Sequence, residues 1–306
     1  MSIQARAALL ALTGTMVAAG CGEAEEPAAR AVASAMAAPS RAARHLPEGC
    51  EVVVHYSAGA SRAAPSPGNA AVRALLPGGG DDELAMAQLR ALGAFDPERD
   101  VDSALVCLSA GGLHQVMVAA GDIPLGALLP AIEADTPSVE RRRVDDVEAV
   151  VLTVDERRWT LGQAADGAIV VADDDALFAG ALRESTRAAE LAMRFDAPLS
   201  VHAGQAVLER LGAPPPGGVV PAGGSPARGP FAAALAGATR LDMSGGAGAC
   251  LRVDYDTVER ASAAAPVLRD LVDRRVDEST RVRARVEGSR VVLDVDAMHF
   301  VREVFQ

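Results

Sequence analysis

The chain has 306 residues, of which 50% are apolar, 23% charged and 3% aromatic, with a mean hydropathy of +0.17. That composition supports a sizeable core and excludes wholesale disorder, and the length allows one large domain or two of ordinary size. A formal net charge of -12 argues against nucleic acid as a partner, because a phosphate backbone needs a basic surface. All 29 basic side chains are arginine, which excludes Schiff-base chemistry, a P-loop lysine, a kinase lysine and Ser-x-x-Lys acylation.

At the N-terminus, the free amine and Arg6 precede an apolar stretch from Ala7 to Val17. Its length suits the core of a signal peptide and is too short for a bilayer span. It runs into Ala18-Ala19-Gly20-Cys21, and these small residues before a cysteine resemble the lipobox of bacterial lipoproteins. The resemblance implies cleavage between Gly20 and Cys21, a diacylglyceryl thioether on the Cys21 sulfur and acylation of the new amine. Ala18 stands where leucine is commonest in that motif. Two or three acyl chains, at about 0.8 kcal/mol per buried methylene, make such attachment stable. The implied partner is therefore a membrane, reached through Cys21, and the implied location is the bacterial cell envelope. With Gly22 following the cysteine, the sorting convention of such proteins favours the outer membrane.

Residues 1–20 are thus expected to be a leader and 21–45 a tether, because Gly22 to Arg44 mixes Ala, Glu, Pro and Arg without an apolar stripe. Of the three remaining cysteines, Cys50 and Cys107 are the pair expected to bond if one disulfide forms, since both fall in predicted strands of one module. Three buried thiols are equally compatible with the sequence.

The body starts near Leu46. Val52, Val54 and Tyr56 alternate on one face of a predicted strand. Asp81 to Leu92 reads as a helix with acidic residues at its start and Gly93 as its stop. Ser103–Ala110 and Leu113–Ala120 flank Gly111-Gly112 as a hairpin. Ile123–Ala134 reads as a helix that Pro130 should kink or break. Strands follow near Val147–Val154, Trp159–Gln163 and Ala168–Ala172, and Asp174 or Asp175 should cap a helix over Ala176–Arg187.

The same order then recurs. A strand at Leu199–His202 precedes a helix over Val207–Leu211 and a Pro/Gly-rich loop from Pro214 to Pro230. A hairpin, Thr239–Ser244 and Ala249–Tyr255, leads to a helix from Thr257 to about Arg275, interrupted at Pro266. Strands at Thr280–Val286 and Arg290–Val295 lead to a short capped helix at Asp296–Phe300. The reading is an α+β fold of two related modules, residues 46–190 and 191–306. Each is expected to be an antiparallel-rich sheet with helices on one face, close to the split β-α-β arrangement. The layout, including Gly93-x-x-Asp96-Pro97-x-x-Asp100-Val-Asp102, resembles bacterial lipoproteins built of tandem modules, a resemblance that brings no activity with it.

Candidate chemistry is sparse. The five histidines, His45, His55, His114, His202 and His299, do not show helical metal-site spacing, although His55 and His202 hold matching strand positions. Ser109 should face His114 across the hairpin, with Cys107 diagonal to it, but no orienting carboxylate is readable. Asp96, Asp100 and Asp102, like Asp173–Asp175, lack calcium-loop spacing and read as turn and cap residues. Arg141–Arg143 reads as a solvated strand edge. The expectation is a non-catalytic, lipid-anchored envelope protein that binds a protein or small ligand, with no catalytic residue, metal or cofactor. The alternatives are an anchored hydrolase with an unrecognised site and a structural or assembly lipoprotein.

Overall fold

The structure is a computed structural model, and it describes residues 39–58, 97–109, 114–135, 138–154, 157–191, 197–212, 233–245, 249–274 and 281–296. The expected leader, most of the tether, the helix over 81–92, the loop over 214–230 and the helix over 296–300 lie outside the fully described residues.

The fold is α+β, built on one antiparallel sheet. In chain order the strands are β1 Cys50–Ser57, β2 Val101–Ser109, β3 His114–Gly121, β4 Val139–Val144, β5 Val147–Val154, β6 Arg157–Gln163, β7 Ile169–Ala172, β8 Leu199–Gly204, β9 Ala238–Gly245, β10 Ala249–Tyr255, β11 Arg281–Glu287 and β12 Arg290–Asp296. The described helices are α1 Pro97–Asp100, α2 Leu125–Asp135, α3 Asp175–Ala181, α4 Arg187–Glu190, α5 Gln205–Gly212 and α6 Val258–Asp273, with a 3-10 turn at Ala42–His45. All 12 strands join in the order β11-β12-β10-β9-β8-β1-β2-β3-β7-β6-β5-β4. The seam between the two halves of the chain is the antiparallel pair β1–β8, in which Val54 faces Val201.

Period-two alternation assigns each strand residue to one sheet face. On the front face, Val52, Val201, Ala203, Leu241, Met243, Leu251, Val253 and Leu293 form one core with Val207 and Leu208 of α5 and Ala261, Ala265 and Leu268 of α6. Further along the same face, Val150, Leu152, Leu161 and Ile169 pack against Leu125, Leu129 and Ile132 of α2. The back face carries a separate core under the first half only: Val53, Leu105, Val116, Val118 and Val170 pack with Ala42, Leu46, Leu177, Phe178 and Ala188. Helices therefore lie on both faces of the first half, which corrects the expectation of one helical face. Asp174 N-caps α3 by accepting from the Ala176 and Leu177 amides, and this directs Leu177 and Phe178 onto the back. Phe178 fits there because its neighbour is Gly162, where a Cβ would lie 2.8 Å from the phenyl ring.

Helix α2 continues past Pro130 rather than breaking there, and α6 continues past Pro266, which corrects the expected interruption. The helix expected over Ala176–Arg187 is instead two. Leu182 follows α3, and the Ser185 amide turns to donate to the Arg44 carbonyl at 2.6 Å, which takes it out of any continuing helix.

Cys50 and Cys107 form a disulfide across the β1–β2 pair. Cys250 is buried in β10, and no cysteine is a free thiol among the described residues. The reading with three buried thiols is thereby corrected, and so is the reading with one thiol left unpaired.

Candidate functional site

The sequence-selected groups resolve mainly into structural roles. Ser109 does face His114, and Asp173 stands near the imidazole, but the His114 Nδ1–Asp173 Oδ1 separation is 3.7 Å. That is too long for the hydrogen bond that would orient a catalytic base. Asp173 instead accepts from the Gln115 amide at 2.8 Å and from Arg157 at 3.4 Å. Asp100 pairs with Arg99, and Asp102 with Arg41. Asp175 pairs with Arg142, whose guanidinium holds that carboxyl below the usual carboxylate range. Arg141 and Arg143 pair with Glu133 and Asp146 along the edge strand β4. No metal-ligating group of three His, Cys, Asp or Glu side chains occurs among the described residues.

His45 is fixed by the fold. Its Nδ1 donates to the Ala181 carbonyl at 2.8 Å, and its Nε2 lies 3.1 Å from Asp166. Burial works against the charge on Asp166, but the Ala168 amide, His45 and Arg41 together hold its carboxyl below the usual range. His55 is fully buried in β1, where Nε2 lies 2.6 Å from the Ser40 hydroxyl. Burial lowers its pKa from 6.5 to about 4, so it is neutral at pH 7.

The feature that sequence reasoning missed is the back face of the second half. Strand alternation puts Ser200 and His202 of β8, Arg240, Asp242 and Ser244 of β9, Cys250, Arg252 and Asp254 of β10, Asp294 of β12 and Arg283 and Arg285 of β11 on one surface. The register aligns two rows across it. One is His55–Ser200–Ser244–Cys250–Asp294–Arg283, and the other is Val53–His202–Asp242–Arg252–Val292–Arg285. His202 Nδ1 is 2.8 Å from Asp242, whose second oxygen accepts from Arg240 Nε at 2.5 Å. Arg240 also reaches the Leu191 carbonyl beyond α4. Arg290 makes a two-pronged contact with Asp254, at 2.5 and 3.1 Å, and this holds its guanidinium still more firmly protonated. Arg285 bridges Glu287 and Asp294.

Forked arginine–carboxylate contacts of this kind fix orientation. The result is a network of fixed donors and acceptors, with Ser200, His202, Ser244 and Asp294 buried and Arg240, Arg285 and Arg290 partly exposed. The signal was present as alternation in Thr239-Arg-Leu-Asp-Met-Ser244 and in Arg281-Val-Arg-Ala-Arg-Val-Glu287. Reading only the apolar phase of these strands leaves the other phase unexamined.

No family model matches the chain, and no curated protein sequence matches it. Among solved structures it is similar to TP0453. The comparison with crystal form III gives a TM-score of 0.49 at 10% identity, covering 87% of this chain and 97% of that one. Crystal form I gives 0.46 at 8% identity, covering 88% and 96%.

Proposed function

We propose that this protein is a non-catalytic lipoprotein of the bacterial cell envelope, held at the outer membrane by acyl chains on Cys21 and binding a protein or small ligand through its folded body. The observation that carries the reading is the apolar run from Ala7 to Val17 ending in Ala18-Ala19-Gly20-Cys21. The partly exposed margin of the back face, at Arg240, Asp254, Arg285 and Arg290, is the binding surface in this reading, because its arginines and aspartates are held in fixed geometry by their ion pairs. No helix among the described residues is long and apolar enough to cross a membrane.

The body is a duplicated unit, residues 46–190 and 191–306. Supporting this, β1-β2-β3-β7-β6 and β8-β9-β10-β12-β11 succeed one another outward from the seam in the same order. At the seam His55 faces Ser200 while Val53 faces His202. If His55 corresponds to His202, the two pairs exchange under a two-fold axis, as they do in isologous interfaces.

The test is Cys21→Ser in the full chain, expressed in a bacterium with lipoprotein processing. The variant should leave the membrane fraction entirely while its thermal midpoint stays unchanged; persistence in the membrane fraction would contradict the anchor.

A further inference from the structure

At the margin of the back face the arginines stand outside the aspartates they pair with. The Arg285 side chain is 43% exposed over Asp294 at 10%, Arg290 44% over Asp254 at 22%, and Arg240 29% beside Asp242 at 23%. Glu287, at 51%, is the carboxylate of this group that stands as far out as its arginine. The aspartates hold the guanidinium groups from beneath, so the outward layer is mainly donor. A guanidinium carries five N–H donors. Arg290 spends two on Asp254, and Arg285 spans Glu287 and Asp294 with two, so each has donors left for a further acceptor.

The strand register gathers these three arginines. Arg240 and Arg290 both face Asp254 from either side of β10, two strand spacings or about 10 Å apart. Arg290 faces Glu287 of β11, two residues from Arg285, which puts the Arg285 backbone about 8 Å from that of Arg290. On the binding surface proposed above, on which this inference rests, we propose that the partner is an acidic protein segment in extended form. Its carboxylates, about 7 Å apart along one side of the chain, pair with Arg285, Arg290 and Arg240, since the guanidinium fork matches a planar carboxylate. The whole chain carries a formal charge of -12, so the patch is a local reversal of sign. Screening confines its attraction to about 8 Å at physiological ionic strength. A short acidic segment lies within that range. An anionic membrane extends beyond it and meets the acidic remainder of the molecule.

The test titrates the folded full chain with a labelled peptide of four Glu-Ser repeats and, for comparison, one of four Gln-Ser repeats. The acidic peptide should bind about tenfold more tightly, as expected of two or three partly exposed ion pairs, and should lose most of that advantage at high salt. Because Arg285 also holds Asp294, the residues are read in the wild-type chain and not by substitution. With the acidic peptide at about twice its Kd, butanedione modification of Arg285 and Arg290 should slow about threefold, while Arg143, an exposed arginine paired with Asp146 on β4, keeps its rate. Equal affinity for the two peptides would overturn the acidic partner alone. Protection confined to other arginines would overturn the binding surface as well. Equal protection by phosphatidylglycerol vesicles without peptide would assign the patch to lipid headgroups and overturn the proposal. None of these measurements reads Cys21, so failure of the lipid anchor leaves them intact.

Discussion

At the scale of single residues, two side chains report on the fold in opposite ways. His55 is neutral in the folded protein because burial lowers its pKa from 6.5 to about 4. The unfolded chain takes up this proton near pH 6.5, so between those two values the unfolded state binds more protons. Stability is then complete above about pH 7, falls as the pH drops towards 4 and is flat below it, a loss of roughly 3 kcal/mol. The expected outcome is that His55→Gln flattens this part of the curve of urea midpoint against pH. An unchanged slope would show that His55 is not the group responsible. Asp174 is the converse case, a carboxylate that works by accepting two amide protons at the start of α3. Asp174→Ala should cost about 1 kcal/mol, visible as a lower urea midpoint with the same slope.

At the scale of elements, the Cys50–Cys107 bond closes a sequence separation of 57 residues. Changing both cysteines to alanine should cost about 2–4 kcal/mol, chiefly by freeing the unfolded chain. Calorimetry without reductant should therefore show a lower thermal midpoint for the double variant than for the wild type, and equal midpoints would contradict the estimate. Strands with a clear apolar phase, such as Glu51–Tyr56 and Arg290–Val295, were legible because alternate residues are buried. Helix ends were less so. The break after Ala181 depends on the Ser185 amide meeting the Arg44 carbonyl, a partner distant in sequence. The polar back face was written in the sequence as an Arg/Asp alternation, but its meaning depends on strand order, which brings β8, β9, β10, β12 and β11 side by side.

For the whole molecule, the informative contrast is between the two halves of the back face. In the first half this face is apolar and covered by the 3-10 turn, α3 and α4. In the second half the corresponding surface carries serine, histidine, arginine and aspartate. Leu105 stands opposite His55, whereas Asp242 stands opposite His202. One histidine is thereby buried neutral and the other engaged in a charged network. The arginines of β4 and β11, the two outer strands, oppose further strand addition.

The central claim, attachment through Cys21, is tested most directly by intact mass and non-reducing peptide mapping of the mature protein extracted from membranes. The account predicts a chain beginning at Cys21 and carrying the mass of acyl groups on that residue, with Cys50 joined to Cys107 and with Cys250, which is not a free thiol in this structure, recovered as a thiol in the lipidated protein. A mature terminus elsewhere, an unacylated Cys21, or Cys21 recovered in a disulfide with Cys250 would contradict it, because one sulfur cannot form both the thioether and the disulfide.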